Sequence, residues 1–304
     1  MEKFEIGEER RNERLDRFLS EMYPEHSRSF LQKEIKLGTV LVNGKSVKAG
    51  TSLKPGDTVE AAFSAPEEPE VLPEEIPLNI VYEDADVILV DKPKGMVVHP
   101  APGHTSGTLV NALLYHCNDL SGINGILRPG IVHRIDKDTT GLVIACKNDT
   151  AHRSLAEQLA AHSVTRRYFA LVHGNFREDE GTVSAPIARH RTDRKKMAVD
   201  PSGKEAVTHF RVLERFGQYT FIECRLETGR THQIRVHMSH IGHPLLGDEQ
   251  YGSGKSRFHT EGQCLHAYVF GFIHPRTGEY LEFESPLPAY FEKILASLRN
   301  DCER

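Results

Sequence analysis

Apolar residues at Leu15, Phe18, Leu19 and Met22 recur at i, i+3, i+4 and i+7, the stripe of an amphipathic helix. A second helix is predicted from a capping Ser27 to Leu37, with Gly38 just past its end. Residues 39–42 and 45–47 are strand-like and flank Asn43-Gly44, the pair that favours a type I′ turn, so they read as a hairpin. Lys54-Pro-Gly-Asp57 is a further turn, leading into a strand over 58–63. Beyond residue 78 short strands outnumber helices. Strands are predicted over 87–90, 168–173, 206–213, 219–226 and 266–273. Helices are predicted over 109–115 and over 149–161, the latter with Asp149 as N-cap. A terminal helix behind Pro288 carries Phe291, Ile294, Leu295 and Leu298 on one face. Strands and helices do not alternate strictly, so the class is α+β.

Between these two sets the pattern breaks. Pro66, Pro69, Pro73 and Pro77 alternate with Glu67, Glu68, Glu70, Glu74 and Glu75. Proline fixes φ and like charges repel, which predicts an extended, semi-rigid linker. The expected organisation is a small domain over 1–62, a linker over 63–78 and a larger domain over 79–304, and two domains suit a chain of 304 residues. The formal charge of −5 counts mildly against a nucleic-acid partner until it is resolved by region. Residues 1–60 are net zero, residues 61–90 are −8 and residues 91–304 are +3. The acidity is local, and basic stripes elsewhere remain free to meet phosphate.

Five cysteines without a CxxC pair suit a reducing cytosol and argue against a thiolate zinc site. No apolar run reaches the roughly 18 residues of a membrane span, and the charged start, Met1-Glu-Lys, lacks a signal-peptide core, so a cytoplasmic setting without membrane attachment is expected. Two Gly-Lys-Ser triplets fail as phosphate loops because the required earlier glycine is Thr39 in one and Glu249 in the other. His232, His237, His240 and His243 crowd one stretch, but their spacing does not set three imidazoles on one helical face, and no metal is expected.

Two clusters carry candidate chemistry. Ile131-Val-His-Arg-Ile-Asp-Lys-Asp-Thr-Thr-Gly141 places Asp136 in a polar turn between apolar segments, and Gly141 returns the chain to a strand. Such a carboxylate either accepts backbone N–H bonds or does chemistry. Asp138 raises the idea of a carboxylate pair but reads as a solvated loop residue. The second cluster is Leu226-Glu-Thr-Gly-Arg-Thr-His-Gln-Ile-Arg-Val-His237. It puts Arg230 at a strand-to-helix junction, with a helix starting near Thr231 whose apolar side is Ile234, Met238 and Ile241. An Arg there can grip a carboxylate bidentately, or simply cap or pair at the surface.

His133-Arg-Ile-Asp-Lys-Asp-Thr-Thr-Gly141 resembles the HRLDxxTSG signature of the RluA-type pseudouridine synthases, with Ile135 and Thr140 as conservative departures. Further segments match in order: Arg167-Tyr168 with Val172-His-Gly, the Thr228–His237 stretch, Gly247-Asp with Tyr251-Gly, and Leu265-His-Ala. The N-terminal unit resembles an S4 RNA-binding domain, and the layout is most similar to the RluD branch, which acts on large-subunit ribosomal RNA. The resemblance implies a cofactor-free isomerase that turns uridine into pseudouridine in RNA. It implies Asp136 as the catalytic carboxylate, Arg230 as the residue that holds it, and Tyr168 as a base-stacking tyrosine. On periodicity alone Tyr168 is an ordinary core aromatic. Arg134 is implied to fill the space left by a flipped nucleotide, with His133 beside it as an RNA contact. Arg191, Arg194, Lys195 and Lys196, in the basic run 189–196, are candidate backbone contacts. So are Arg28, Lys33, Lys36, Lys45 and Lys48 in the S4-like unit. A monomer suffices. The competing classes are a non-catalytic RNA-binding factor and a carboxylate-dependent glycoside hydrolase.

Overall fold

The computed structural model describes residues 2–63, 71–101, 103–125, 127–252 and 256–302. Two compact units are present, Met1–Glu68 and Pro69–Arg304.

The first unit is built from β1 (Glu2–Glu5), α1 (Leu15–Met22), α2 (Arg28–Leu37), β2 (Val40–Val42), β3 (Lys45–Ser46) and β4 (Thr58–Ala61). Its four-stranded antiparallel sheet runs in the order β1-β4-β2-β3. Leu15, Phe18 and Leu19 are buried as the periodicity predicts, whereas Met22 is left exposed at the end of α1. The Ser27 hydroxyl accepts from the Phe30 N–H at 3.3 Å, and Gly38 closes α2 in the left-handed region at φ +81°. Asn43 and Gly44 both take positive φ, as a type I′ turn requires.

The second unit adds β5 (Ile80–Glu83), β6 (Val87–Lys92), α3 (Leu109–His116), β7 (Thr140–Cys146), α4 (Asp149–Ala160), β8 (Thr165–His173) and β9 (Glu180–Ser184). These are followed by β10 (Ile187–Arg189), β11 (Met197–Val199), β12 (Val207–Arg215), β13 (Tyr219–Leu226), α5 (Gln233–His240), β14 (Leu265–Ile273), β15 (Tyr280–Glu284) and α6 (Ala289–Cys302). A mixed sheet runs β5-β6-β7-β14-β8-β13-β12-β9 with β15 also paired to β14, and β10-β11 form a separate hairpin. Only the β7–β14 pairing is parallel among the described strands. Alternate residues face opposite sides of a strand. Ile88, Val90, Val143, Ala145, Tyr168, Ala170, Ile222 and Cys224 therefore share one face with α3 and α5. Val87, Leu89, Leu142 and Ile144 share the other with α4, while Leu171 and Phe221 there meet α6.

Three expectations change. Residues 64–70 of the expected linker lie outside the described residues. The remainder, 71–78, is docked: Val71 is buried in the core, the Asn111 amide donates to the Leu72 carbonyl at 2.7 Å, and the Glu74 carboxylate accepts from the Gly107 N–H at 3.1 Å. The cap of α4 is Asn148, whose side chain accepts from the Ala151 N–H at 2.9 Å, and Asp149 is the first helical residue. Helix α5 begins at Gln233, after His232 in the left-handed region at φ +58°.

Candidate active site

The polar turn ahead of β7 is fastened from three sides. The Lys92 ammonium is buried and donates to the carbonyls of Pro93, Met96 and Lys137 at 2.8, 2.9 and 3.0 Å. Burial draws its pKa down to about 7 against the opposing charges of Asp138, Asp136 and Asp91. Thr139 accepts from the Gln263 amide at 3.0 Å, and the Thr140 hydroxyl meets His266 Nδ1 at 2.9 Å. Gly141, at φ +106°, lies so close to β14 that a Cβ would stand 2.2 Å from the Ala267 carbonyl oxygen. Only glycine permits that approach and that backbone angle together.

The turn presents Asp136 to a cleft of about 450 Å³ whose lining includes Tyr168, Arg134, Arg166, Arg230, His232 and Arg235. Asp136 Oδ2 accepts from Arg235 Nη1 at 2.9 Å. The same guanidinium grips Asp248 bidentately, Nε to Oδ2 at 2.6 Å and Nη2 to Oδ1 at 2.9 Å. Asp248 is fully buried and also accepts from the N–H groups of Gln250 and Tyr251 at 3.0 and 3.1 Å. Burial works against the Arg235 charge, but its bonds to Asp248 and the Asp136 charge outweigh it and hold the guanidinium above its ordinary range. One cation thus lies between two carboxylates. The other Asp136 oxygen faces His232 Nε2 at 3.8 Å and has no hydrogen-bond partner among the described residues. Burial lowers the His232 pKa while Asp136 pulls it up.

Tyr168 lies on β8, opposite Cys224 of β13 and Ala267 of β14, with its ring at the cleft wall. Burial raises its pKa, the Arg166 charge lowers it and Asp136 raises it, so the phenol stays neutral. The geometry corrects the expected partner of Asp136. Arg230 is in the cleft, but its Nε donates to the Glu205 carbonyl at 2.8 Å, and Arg235 makes the ion pair. The signal was available: Arg235 stands three residues before Met238, on the apolar side of α5, where a charge needs a buried partner. Asp248, in the quoted Gly247-Asp pair, is that partner.

His133 is also placed differently from the expected RNA contact. Its ring stacks on Phe270 at 4.9 Å, its Nε2 accepts from the Ile144 N–H at 3.1 Å, and burial takes its pKa to about 3. It is a wall of the cleft. Arg134 is exposed at the mouth. Arg28 is exposed but tied to Asp16 at 2.9 Å, while Lys33, Lys36, Lys45 and Lys48 project from the first unit. Arg191, Arg194 and Lys195 are exposed and Lys196 half-buried beside the β10–β11 hairpin; Arg191 pairs with Asp200 at 3.0 Å. The clustered histidines diverge: His237 bonds to Thr208 and Ala185, and His243 stacks on Phe176.

Over residues 86–240 the chain matches the family described as RNA pseudouridylate synthase, and over residues 13–59 it matches the S4 domain. The chain belongs to the RNA pseudouridine synthase family. It is an isomerase acting on RNA, with an S4 RNA-binding domain at its N-terminal end. It is 56% identical over 295 residues to an uncharacterized RNA pseudouridine synthase of Bacillus subtilis, covering 97% of each chain. It is 46% identical to a ribosomal large subunit pseudouridine synthase D of Pseudomonas aeruginosa, covering 99% of this chain and 95% of that one. Among solved structures, human RNA pseudouridylate synthase domain containing 1 matches with a TM-score of 0.57 at 26% identity, over 78% of this chain and 98% of that one. The match to the synthase family spans both Asp136 and Arg235.

Proposed function

We propose that this synthase converts specific uridines of large-subunit ribosomal RNA into pseudouridine with Asp136 as its catalytic carboxylate. The observation that carries this is the Arg235 clamp, which aims one Asp136 oxygen into a cleft walled by Tyr168. In the reaction the N1–C1′ bond breaks, the uracil turns, a C5–C1′ bond forms, the C5 proton leaves to solvent and N1 takes up a proton. Atoms balance without a redox partner or cofactor. Asp136 promotes bond cleavage either as a nucleophile or by stabilising positive charge on the sugar, the logic of glycosidase carboxylates. Arg235 is its positioning residue. Tyr168 offers a ring for the uracil to stack on.

A uridine inside a helix cannot reach this cleft, so the target is flipped out, and Arg134 at the mouth fills the vacated place. Lys33, Lys36, Lys45 and the exposed part of the 189–196 loop supply sequence-independent phosphate contacts. The relatives named for the large ribosomal subunit support that substrate. The free state of all five cysteines suits a cytoplasmic enzyme, and a monomer suffices for the chemistry. Mapping pseudouridines by carbodiimide derivatisation and mass spectrometry, in ribosomal RNA from cells with and without the gene, tests the proposal. Loss of named large-subunit pseudouridines, restored by wild type but not by Asp136→Asn, is expected. An unchanged map contradicts it.

A further inference from the structure

The four cleft arginines are balanced unequally. Arg235 is committed to two carboxylates, and Arg134 stands in solvent at the mouth. Arg166 is only 6% exposed, yet it makes no ion pair among the described residues. Its Nη2 donates to the Glu227 carbonyl at 3.1 Å, and its buried Nε has no partner among the described residues. An unpaired buried cation is costly, and a fold retains one only where something else completes it. The chain also makes room for this guanidinium. A Cβ at Gly229 would lie 2.6 Å from Arg166 Nη1. Gly229 does not take a positive φ, so what a Cβ there would disturb is the guanidinium end of Arg166 and not the turn. Arg230 follows it in the cleft lining, bonded through Nε to a backbone carbonyl and paired with no carboxylate among the described residues. Burial and the neighbouring Arg230 both depress the Arg166 pKa.

Two adjacent guanidinium groups without an acid call for an anion. Arg166 and Tyr168 share one face of β8, two residues or about 6.8 Å apart. A single nucleotide spans that interval between its base and its phosphate. We propose that Arg166, with Arg230 beside it, binds a phosphodiester flanking the flipped uridine and so sets the ribose against Asp136. A uracil carbonyl in this place would leave both cations uncompensated. The identity of the RNA rests on the isomerase proposal above, while the chemistry of the anion subsite does not.

Wild type, Arg166→Gln, Arg166→Lys and Gly229→Ala are compared on an RNA fragment carrying a modified uridine, with a methylphosphonate replacing the phosphate on its 5′ or its 3′ side. One of the two neutral linkages is expected to raise the wild-type KM by roughly 10- to 100-fold, the value of a charged hydrogen bond. Arg166→Gln raises KM as much on unmodified RNA and loses no more on the neutral linkage. Arg166→Lys recovers part of the loss, because it keeps the charge without the fork. Gly229→Ala, which displaces the guanidinium without deleting it, shows the same insensitivity to the neutral linkage and carries the comparison if Arg166→Gln does not fold. Losses that multiply between Arg166→Gln and both methylphosphonates overturn the proposal. So does a variant that has become insensitive to replacement of a uracil carbonyl by thiocarbonyl instead. If wild type converts no uridine, the isomerase proposal fails, and the subsite is judged by calorimetric binding of uridine 3′,5′-bisphosphate. Binding at least tenfold weaker in Arg166→Gln supports it, and equal binding overturns it.

Discussion

At the scale of single residues, the site depends on which arginine carries the load. Arg235 and Asp248 are buried together, and Asp136 is the more open of the two carboxylates on that guanidinium. Removing Arg235 strands the Asp248 charge in the interior. Arg235→Ala is expected to lose about 3–5 kcal/mol of stability together with catalysis. Arg230→Ala leaves both carboxylates paired, so its unfolding midpoint should stay near wild type while its KM rises. Denaturant unfolding of the two variants side by side checks this, and equal destabilisation contradicts the assignment. The sequence shows two arginines five residues apart in a strand-to-helix segment, each able to meet a carboxylate. What separates them is where α5 begins. With the helix starting at Gln233, Arg235 points inward beside Met238, and Arg230 remains on the preceding turn.

At the scale of elements, most of the framework was legible. Helix α2 runs from its Ser27 cap to its Gly38 stop, and the Asn43-Gly44 hairpin forms as its turn chemistry dictates. Strand β13 matches its predicted span, and α6 buries the four residues of its predicted face. Strands β1, β5, β9, β10, β11 and β15 were not predicted. They are short or half-exposed, and tertiary pairing rather than local pattern decides them. The docking of residues 71–78 was hidden for a related reason, since proline and glutamate describe a local preference and not the α3 surface that overrides it. Gly141 is the element-level feature on which the catalytic turn depends. Gly141→Ala brings a Cβ against the Ala267 carbonyl at a positive φ and is expected to cost about 3 kcal/mol. Its effect should spread from β7 to the position of Asp136. A variant with wild-type unfolding and activity would show that the β7–β14 contact is not tight.

At the scale of the whole molecule, buried neutral histidines set the acid limit of stability. Burial lowers His133 from an ordinary 6.5 to about 3, and burial with the charges of Arg128 and Arg134 lowers His99 to about 4. Between those values and 6.5 the unfolded chain binds more protons than the folded one, so stability rises with pH there. The contribution is complete above about 6.5 and is lost as pH falls toward 3–4. A second loss is expected between about 4 and 2, where Asp86, held at about 2 by Arg276 and Asn148, becomes protonated. Urea midpoints measured from pH 7 to pH 2 test this, and His133→Gln should flatten the upper limb. An equal slope in that variant removes His133 from the account. The S4 unit has its own core, in which Leu15, Leu19, Leu31 and Val59 are fully buried within residues 1–68. Deleting that unit should leave the second unit folded and raise KM far more than it lowers kcat. A fall in kcat alone contradicts the division of labour between RNA capture and chemistry.

The central claim is that Asp136, held by Arg235, isomerises uridine. Release of tritium from ribosomal RNA labelled at uridine C5 measures it most directly, because the C5 proton is lost only when the C5–C1′ bond has formed. Wild type should release tritium stoichiometrically with pseudouridine. Asp136→Asn, which is nearly isosteric and leaves the Arg235–Asp248 pair in place, should bind the same RNA and release tritium on the order of 10⁴-fold more slowly. Release by Asp136→Asn at the wild-type rate would contradict the account.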